Sequence, residues 1–509
     1  MSEGRRHWFA SIGLFLAVLG ILFFRAPEMV LTPSLLWDEG SKVFAHFYEQ
    51  REPTQILRFK SGYLPLIGNL IGYVAVRFPT RLIPYALVGS AVLITSMTYC
   101  LFFARAFRRW CPSDRDRALM CLVFALAPLS DAQLVTVSDY SNWNLLAILI
   151  LLIVCRPSEK KGWRFAHGFF CNLLVWSHPL TFIIAPIVLW RAFKDEENRT
   201  FYRLLLFNLV VHQIFGVAGI ITTHGLWDHN TGIPIPVSFA TKFFAACGWT
   251  VQIVGAAAFR TAFGSASLQF VVREQPALLF AWMAFLVTAC YPAVRYVPRV
   301  RPLLAFLAYL IVGVSFLSCF LRYEDVHNEP IRFVSDVRRY IYIQSLCFLL
   351  LFGTLLTTAW ELACSRVVKQ SIAQTLRRLA FLPLIALLCH YYSLNTQMGH
   401  YLLWNAPSAS PYHAPDPRNG LIVREFFSKL ADAEAARGGS RHEIQLTAEK
   451  VKDWSITVDT TASHRPMNFR LSRRARILVV ALSLFALGYL TRRFWMAWLP
   501  QKYRMLRRT

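Results

Sequence analysis

The chain has 509 residues, of which 55% are hydrophobic and only 16% charged. Soluble domains carry nearer a quarter charged residues, so this deficit, with repeated apolar runs of bilayer-crossing length, excludes an ordinary soluble enzyme and predicts an integral membrane protein built of helices. The net charge of +25 sits in short Lys/Arg clusters between apolar runs, which reads as the positive-inside bias and attraction to anionic lipid, and excludes nucleic acid as the partner.

In chain order, Arg5 and Arg6 precede the apolar run Trp8–Phe24, read as a retained first span leaving the cytoplasm. Residues 26–80 then form an outer segment. It carries Trp37-Asp38-Glu39, Arg51, Arg58 and Lys60, and ends in the semi-apolar Gly62–Phe78, expected to lie on the membrane surface. Span Leu82–Ala104 returns to the basic stretch Arg105–Arg117. Spans over 118–129 and 143–155 flank a short outer loop with Asp131 and Asp139.

Phe165–Phe193 is interrupted at Ser177-His178-Pro179. Proline breaks a helix, so two half-membrane helices with an outward-facing break are expected there. Span 201–222 leads to an outer loop over 223–276. Spans 277–294 and 302–321, an outer loop over 322–339, and spans 340–363, 379–393 and 475–491 follow, with 394–473 as a small mixed outer segment of helix and strand. The expected architecture is thus an all-α polytopic membrane protein with about twelve transmembrane segments. Its parts are a membrane domain over 1–393, a periplasmic segment or cap over 394–473, and a last helix with a basic tail over 474–509.

The 11 cysteines form no CxxC and read as small apolar packers. Asp114-Arg115-Asp116 matches a metal-holding DxD, but it lies in a short cytoplasmic loop with no nucleotide-binding domain around it and is set aside.

Four features carry chemistry. Asp38 and Glu39 are adjacent carboxylates at a membrane boundary, where apolar surroundings tune a general base. Their bland reading is two solvated carboxylates. Asp139, with Tyr140, Asn142 and Trp143, suits stacking on a sugar, or merely caps the next helix. His178 is either a site residue at a break or an interhelical donor. Arg338 and Arg339, before Tyr340, are outer-side cations that suit a lipid phosphate, with Lys60 and Arg58 as lesser candidates. Headgroup snorkelling is their bland reading.

An acidic pair after span one, the Gly-Tyr-Leu-Pro-Leu-Ile context of 62–67, short broken spans, Arg339-Tyr340 at the head of a late span and an outer segment near the C-terminus together resemble the GT-C superfamily of polytopic glycosyltransferases. The resemblance implies a polyprenyl-phosphate-linked sugar donor, a glycan, lipid or protein acceptor, and an active site on the periplasmic side of a bacterial inner membrane. It also implies Asp38 as base with Glu39 beside it, donor phosphate on Arg338, Arg339, Lys60 and Arg58, and substrate contacts from Trp37, Asp139, His178 and Tyr340. No cofactor is assigned, and a divalent cation is left open. The competing readings are an O-antigen polymerase or ligase, which needs no acidic pair after span one, a lipid-linked glycan transporter or flippase, which should show repeats, and a non-catalytic scaffold.

Overall fold

A computed structural model describes residues 3–25, 27–31, 33, 43–50, 52–58, 64–109, 111, 113–127, 138, 141–154, 161–223, 238–275, 277–321, 341–365, 375, 379, 381–397, 417–435, 441–445 and 455–459. Nearly all of this is helix. Among the described residues, six helices are long and apolar enough to cross a membrane: His7–Phe24, Thr80–Arg108, Phe239–Gly264, Ala277–Tyr296, Arg301–Phe320 and Tyr342–Ser365. The shortest covers 18 residues, about 27 Å of rise against a hydrocarbon core of about 30 Å. The chain is therefore a membrane protein.

The helices that position the site are α1 (Glu3–Arg25), α2 (Leu66–Ala75), α3 (Ile83–Cys100), α4 (Asp114–Leu126), α5 (Ser141–Val154), α6 (Lys161–Val175), α7 (Ala185–Lys194), α8 (Arg199–Thr223), α9 (Phe239–Glu274), α10 (Ala277–Tyr296), α11 (Arg301–Leu321), α12 (Tyr342–Ser365), α13 (Leu382–Gln397) and α14 (Pro417–Ala435). Strands β1 (Arg441–Gln445) and β2 (Ser455–Asp459) pair antiparallel, with Ile444 opposite Ile456.

Two expectations change. Of the about twelve expected spans, five fall on helices that meet the length and hydropathy of a crossing among the described residues, the sixth such helix being Phe239–Gly264, and several others are short helices. Among these, α4 has 13 residues and α5 has 14, about 20 Å each. The expected outer loop over 223–276 is in large part the helix α9. Its apolar side chains are scattered all round and interrupted by Lys242, Thr241 and Gly248, so no stripe stands out, while Ala256, Ala257 and Ala258 are fully buried and let neighbouring helices approach. α9 kinks at Gly264, whose φ of 85° is open to glycine. The carbonyls loosened there are claimed by α13: Tyr391 Oη donates to Thr261 O at 2.7 Å and His390 Nε2 to Ala262 O at 2.6 Å. The predicted span 475–491 and loop 322–339 lie outside the described residues.

The helix α14 docks onto residues 43–48, the end of α2 and the start of α3. Val423, Phe426, Phe427 and Leu430 fall at helical spacing and bury against Phe44, Ala75, Ile83 and Leu87. The Phe44 and Phe427 rings meet at 4.6 Å, and Arg81 pairs with Asp432 at 2.9 Å on the rim. Gly72 of α2 lets Val43 and Phe47 close in, since a Cβ there would lie 2.7 Å from each. Gly72→Ala is expected to lower unfolding stability in detergent by about 1–3 kcal/mol, as overpacking does. An unchanged melting temperature would show that this contact has slack.

At the other end of α3, Asp114 anchors an ion cluster. Arg108 grips it with Nη2 at 3.0 Å from both carboxylate oxygens, and the fully buried Arg117 also pairs with it. Arg117 further donates to Phe103 O at 3.2 Å and Cys111 O at 2.6 Å, while His7 stacks on Phe103. Burial alone would raise the Asp114 carboxyl. The hydrogen bonds and charges of Arg108 and Arg117 outweigh it and hold the carboxyl below its ordinary value. The DxD-like acid is thus committed to arginines. Of the cysteines, Cys121, Cys171, Cys319, Cys347 and Cys364 are buried, where a thiol packs as a small apolar group, while Cys247 and Cys389 are exposed.

Candidate functional site at a helix break

The predicted break is a distinct structural feature. α6 ends at Val175, and the chain turns through Trp176–His178 into a 3-10 turn, Pro179–Ile184, before α7. His178 is extended, and its Nδ1 accepts the Leu180 N–H at 3.0 Å. This fixes the ring as the cap of the turn, and Pro179, which has no N–H, follows at the position that needs none.

Contacts with α8 give the depth of the break. Gly168 sits by Phe201, Trp176 Nε1 donates to Asn208 Oδ1 at 2.9 Å, Thr181 Oγ1 meets His212 Nδ1 at 3.5 Å, and Arg191 donates to Tyr202 Oη at 2.7 Å. The chain therefore climbs along α8 to the level of His212 and returns. His212 lies about 20 Å along α8 from its start, so α6 and α7 form a hairpin that stops inside the apolar body.

Three other element starts meet this break. Leu66 N, at the head of α2, donates to Trp176 O at 3.0 Å. The first turn of α5, Ser141, Asn142, Trp143 and Asn144, is wholly buried, and the Trp143 ring sits edge-on to His178 at 4.3 Å. Gly68 leaves room for Asn142 Oδ1, which would lie 3.5 Å from a Cβ there. Tyr342, opening α12, donates to Asn144 Oδ1 at 2.6 Å, and Asn144 Nδ2 donates to Thr95 Oγ1 at 2.9 Å. Thr95 lies about 18 Å along α3 from Ile83, which again puts the junction deep in the body. α11 closes it: Tyr309 Oη donates to Ile183 O at 2.7 Å and Gln344 Nε2 to Ser315 Oγ at 3.3 Å.

The Asn144–Thr95–Tyr342 group is well paired and holds helices together, as buried polar residues do in membranes. Tyr342→Phe removes the hydroxyl that donates to Asn144 Oδ1 and is expected to cost about 1 kcal/mol, read as a lower melting temperature; no change would show that this bond contributes nothing. Other groups at the junction are not paired. Ser141 Oγ, Ser177 Oγ, His212 Nε2 and Gln344 Oε1 are buried and find no partner among the described residues.

Of the residues singled out from the sequence, His178 lies at the junction and is buried. Arg58 is exposed at the end of the turn Pro53–Leu57, and its carbonyl accepts from Asn69 Nδ2 at 2.8 Å. Burial and then the Arg58 charge push the His46 pKa down, against the hydrogen bond that His46 Nε2 donates to Gln55 Oε1 at 3.1 Å. Trp37, Asp38, Glu39, Lys60, Asp131, Asp139, Arg338, Arg339 and Tyr340 lie outside the described residues. In the chain, Asp139 stands two residues before Ser141, and Arg338–Tyr340 run directly into Ile341 and Tyr342. Ser177, Asn144, His212, Tyr342 and Gln344 were not singled out, although a polar run at the head of an apolar segment, as at Ser141–Asn144, is a usable signal. Among the described residues, no three His, Cys, Asp or Glu side chains come together as metal ligands. Comparison with protein-family models, with curated proteins and with solved structures gives no match.

Proposed function

We propose that this chain is a membrane glycosyltransferase that moves a sugar from a polyprenyl-phosphate donor to a glycan, lipid or protein acceptor on the periplasmic face of a bacterial inner membrane. The observation that carries the reading is the meeting of the starts of α5 and α12 at one deep polar junction. The segments entering those two starts bear Asp139 and the Arg338-Arg339-Tyr340 run. A donor whose phosphate is held by Arg338 and Arg339 then has its sugar near the break and its lipid tail against the apolar body.

In this reading Asp38 takes the proton of the acceptor hydroxyl as its oxygen attacks the anomeric carbon. The carbon–oxygen bond to the lipid phosphate breaks with inversion. The arginines stabilise the charge growing on the departing phosphate. Glu39 supports Asp38, and Lys60 and Arg58 add positive charge.

A half-depth hairpin with polar groups at its tip also favours a second reading, transport of a lipid-linked glycan. One assay separates the two. The full chain in proteoliposomes is given undecaprenyl phosphates carrying radiolabelled mannose, glucose, galactose or arabinose, with an envelope lipid and glycan extract as acceptor. The transferase reading expects label in the acceptor and free undecaprenyl phosphate. Donor that crosses the bilayer intact supports transport, and donor that neither crosses nor is cleaved counts against both.

A further inference from the structure

The turn between the membrane-crossing helices α10 and α11 is rich in cations. Arg295, Arg299 and Arg301 fall there, and no Asp or Glu stands between Glu274 and Glu324. Positive charge beside a span is ordinary. What sets this turn apart is that two of its arginines are held in place.

Arg301, the first residue of α11, reaches back to cap α10. Its Nε donates to Val294 O at 2.6 Å and its Nη2 to Arg295 O at 3.2 Å. These are last-turn carbonyls, which a helix leaves without a partner of its own. Arg295 is held by tyrosines. Its Nη1 donates to Tyr291 Oη at 2.6 Å, and its guanidinium carbon lies 5.9 Å from the ring centre of Tyr291 and 5.8 Å from that of Tyr296. Both cations therefore stand at the same helix end.

Both also keep donors to spare. A guanidinium offers N–H groups on each of its nitrogens. Among the described residues, Arg295 spends one N–H and Arg301 two, and neither pairs with a carboxylate. Both are exposed. An apolar stripe leads up to them on α10. Phe280, Val287, Tyr291 and Val294 recur at helical spacing and are 62%, 67%, 59% and 40% exposed. The stripe runs along a helix of crossing length and ends at Arg295.

A membrane-facing stripe that ends in uncompensated arginines fits an amphiphile with an anionic head. A soluble phosphate would use the arginines and leave the stripe bare. A zwitterionic lipid would bring its own cation to them. We propose that the end of α10 docks an anionic phospholipid, with its headgroup phosphate against Arg295 and Arg301 and an acyl chain along Phe280, Val287, Tyr291 and Val294. Arginine suits the head, because its donors match phosphate oxygens. The site is independent of the transferase reading.

The test uses the full chain in phosphatidylcholine nanodiscs doped with a lipid that carries a diazirine in its acyl chain. The doped lipid is either phosphatidylglycerol or phosphatidylcholine, and cross-links are mapped by mass spectrometry. Labelling over 280–294, normalised to Val210 and Ile214 on the exposed face of α8, should favour phosphatidylglycerol about fivefold or more. Arg295→Gln leaves the Arg301 cap in place and should cut that labelling about fivefold, the loss of one cation near the membrane surface. Melting temperatures show that the variant folds, and the comparison of the two lipids on the unaltered chain needs no variant. Equal labelling by the two lipids, or labelling indifferent to Arg295→Gln in the folded protein, would overturn the site and leave these arginines as charge bias alone. Loss of the phosphatidylglycerol labelling to millimolar inorganic phosphate, but not to chloride of the same ionic strength, would assign the arginines to a soluble anion and overturn it as well.

Discussion

Asp38→Asn is expected to lower sugar transfer about a hundredfold to ten-thousandfold, the range a positioned general base supplies, while the protein melts at its usual temperature and still binds lipid-linked donor. The substitution keeps the size and polarity of the side chain and removes only its ability to accept a proton. In the proposed reading the donor phosphate is bound by other groups, Arg338 and Arg339, so the loss should fall on turnover and leave apparent donor affinity nearly unchanged. Glu39→Gln should cost less, because the proposal gives Glu39 only a supporting place beside the base. Raising the pH should not rescue Asp38→Asn, since an amide does not ionise in that range. Transfer by Asp38→Asn at the rate of the unaltered chain would remove Asp38 as the base.

The second large effect concerns stability. Asp114→Ala removes the carboxylate that pairs with the buried Arg117 guanidinium. Removing one partner of a buried pair costs about 3–5 kcal/mol. The Asp114 side chain is 42% exposed, and solvent screens part of that, so about 2–3 kcal/mol is expected. The double variant Asp114→Ala with Arg117→Met should recover much of the loss, because no charge is then left buried.

The pH dependence has a definite sign. The Asp114 carboxyl is held below its ordinary value of 3.8 in the folded protein. The stability it contributes is therefore full above that value and is lost as pH falls through the lower folded value. The melting gap between the unaltered chain and Asp114→Ala should be constant near neutrality and should close in acid below that value. A gap that widened in acid, or no gap at pH 7, would contradict the ion cluster.

Much of the helical layout could be read from apolar runs, because a run of about 20 apolar residues has few other fates. The spans over 82–104, 277–294, 302–321 and 340–363 each lie largely within a helix that meets the length of a crossing. The helix expected within the mixed segment over 394–473 forms as Pro417–Ala435 with Val423, Phe426, Phe427 and Leu430 buried. The count of crossings was less legible. Composition cannot separate a 14-residue buried helix such as α5 from a short span, and α9 hides its apolar character around its whole circumference.

The break at His178-Pro179 was legible because proline has a local cost. What surrounds it was not. Tyr342 and Asn144 are 198 residues apart, and Gln344 and Ser315 are 29 apart. Such pairings are set by how helices cross and leave no local pattern. His212 gave no signal beyond being a histidine in an apolar run. The Asp114 motif is the converse case: a spacing that resembles a metal site is used by arginines, which only the folded contacts reveal.

The claim that the chain handles a polyprenyl-phosphate-linked sugar is tested most directly by the lipid it carries out of the membrane. The full chain is purified in mild detergent or in polymer discs, its lipids are extracted, and phosphodiester-linked polyprenyl sugars are measured by mass spectrometry against bulk membrane. The account predicts one such lipid enriched with the unaltered protein and depleted when Arg338 and Arg339 are both changed to Ala. A lipid profile matching bulk membrane, or an enriched lipid indifferent to both arginines, would contradict it.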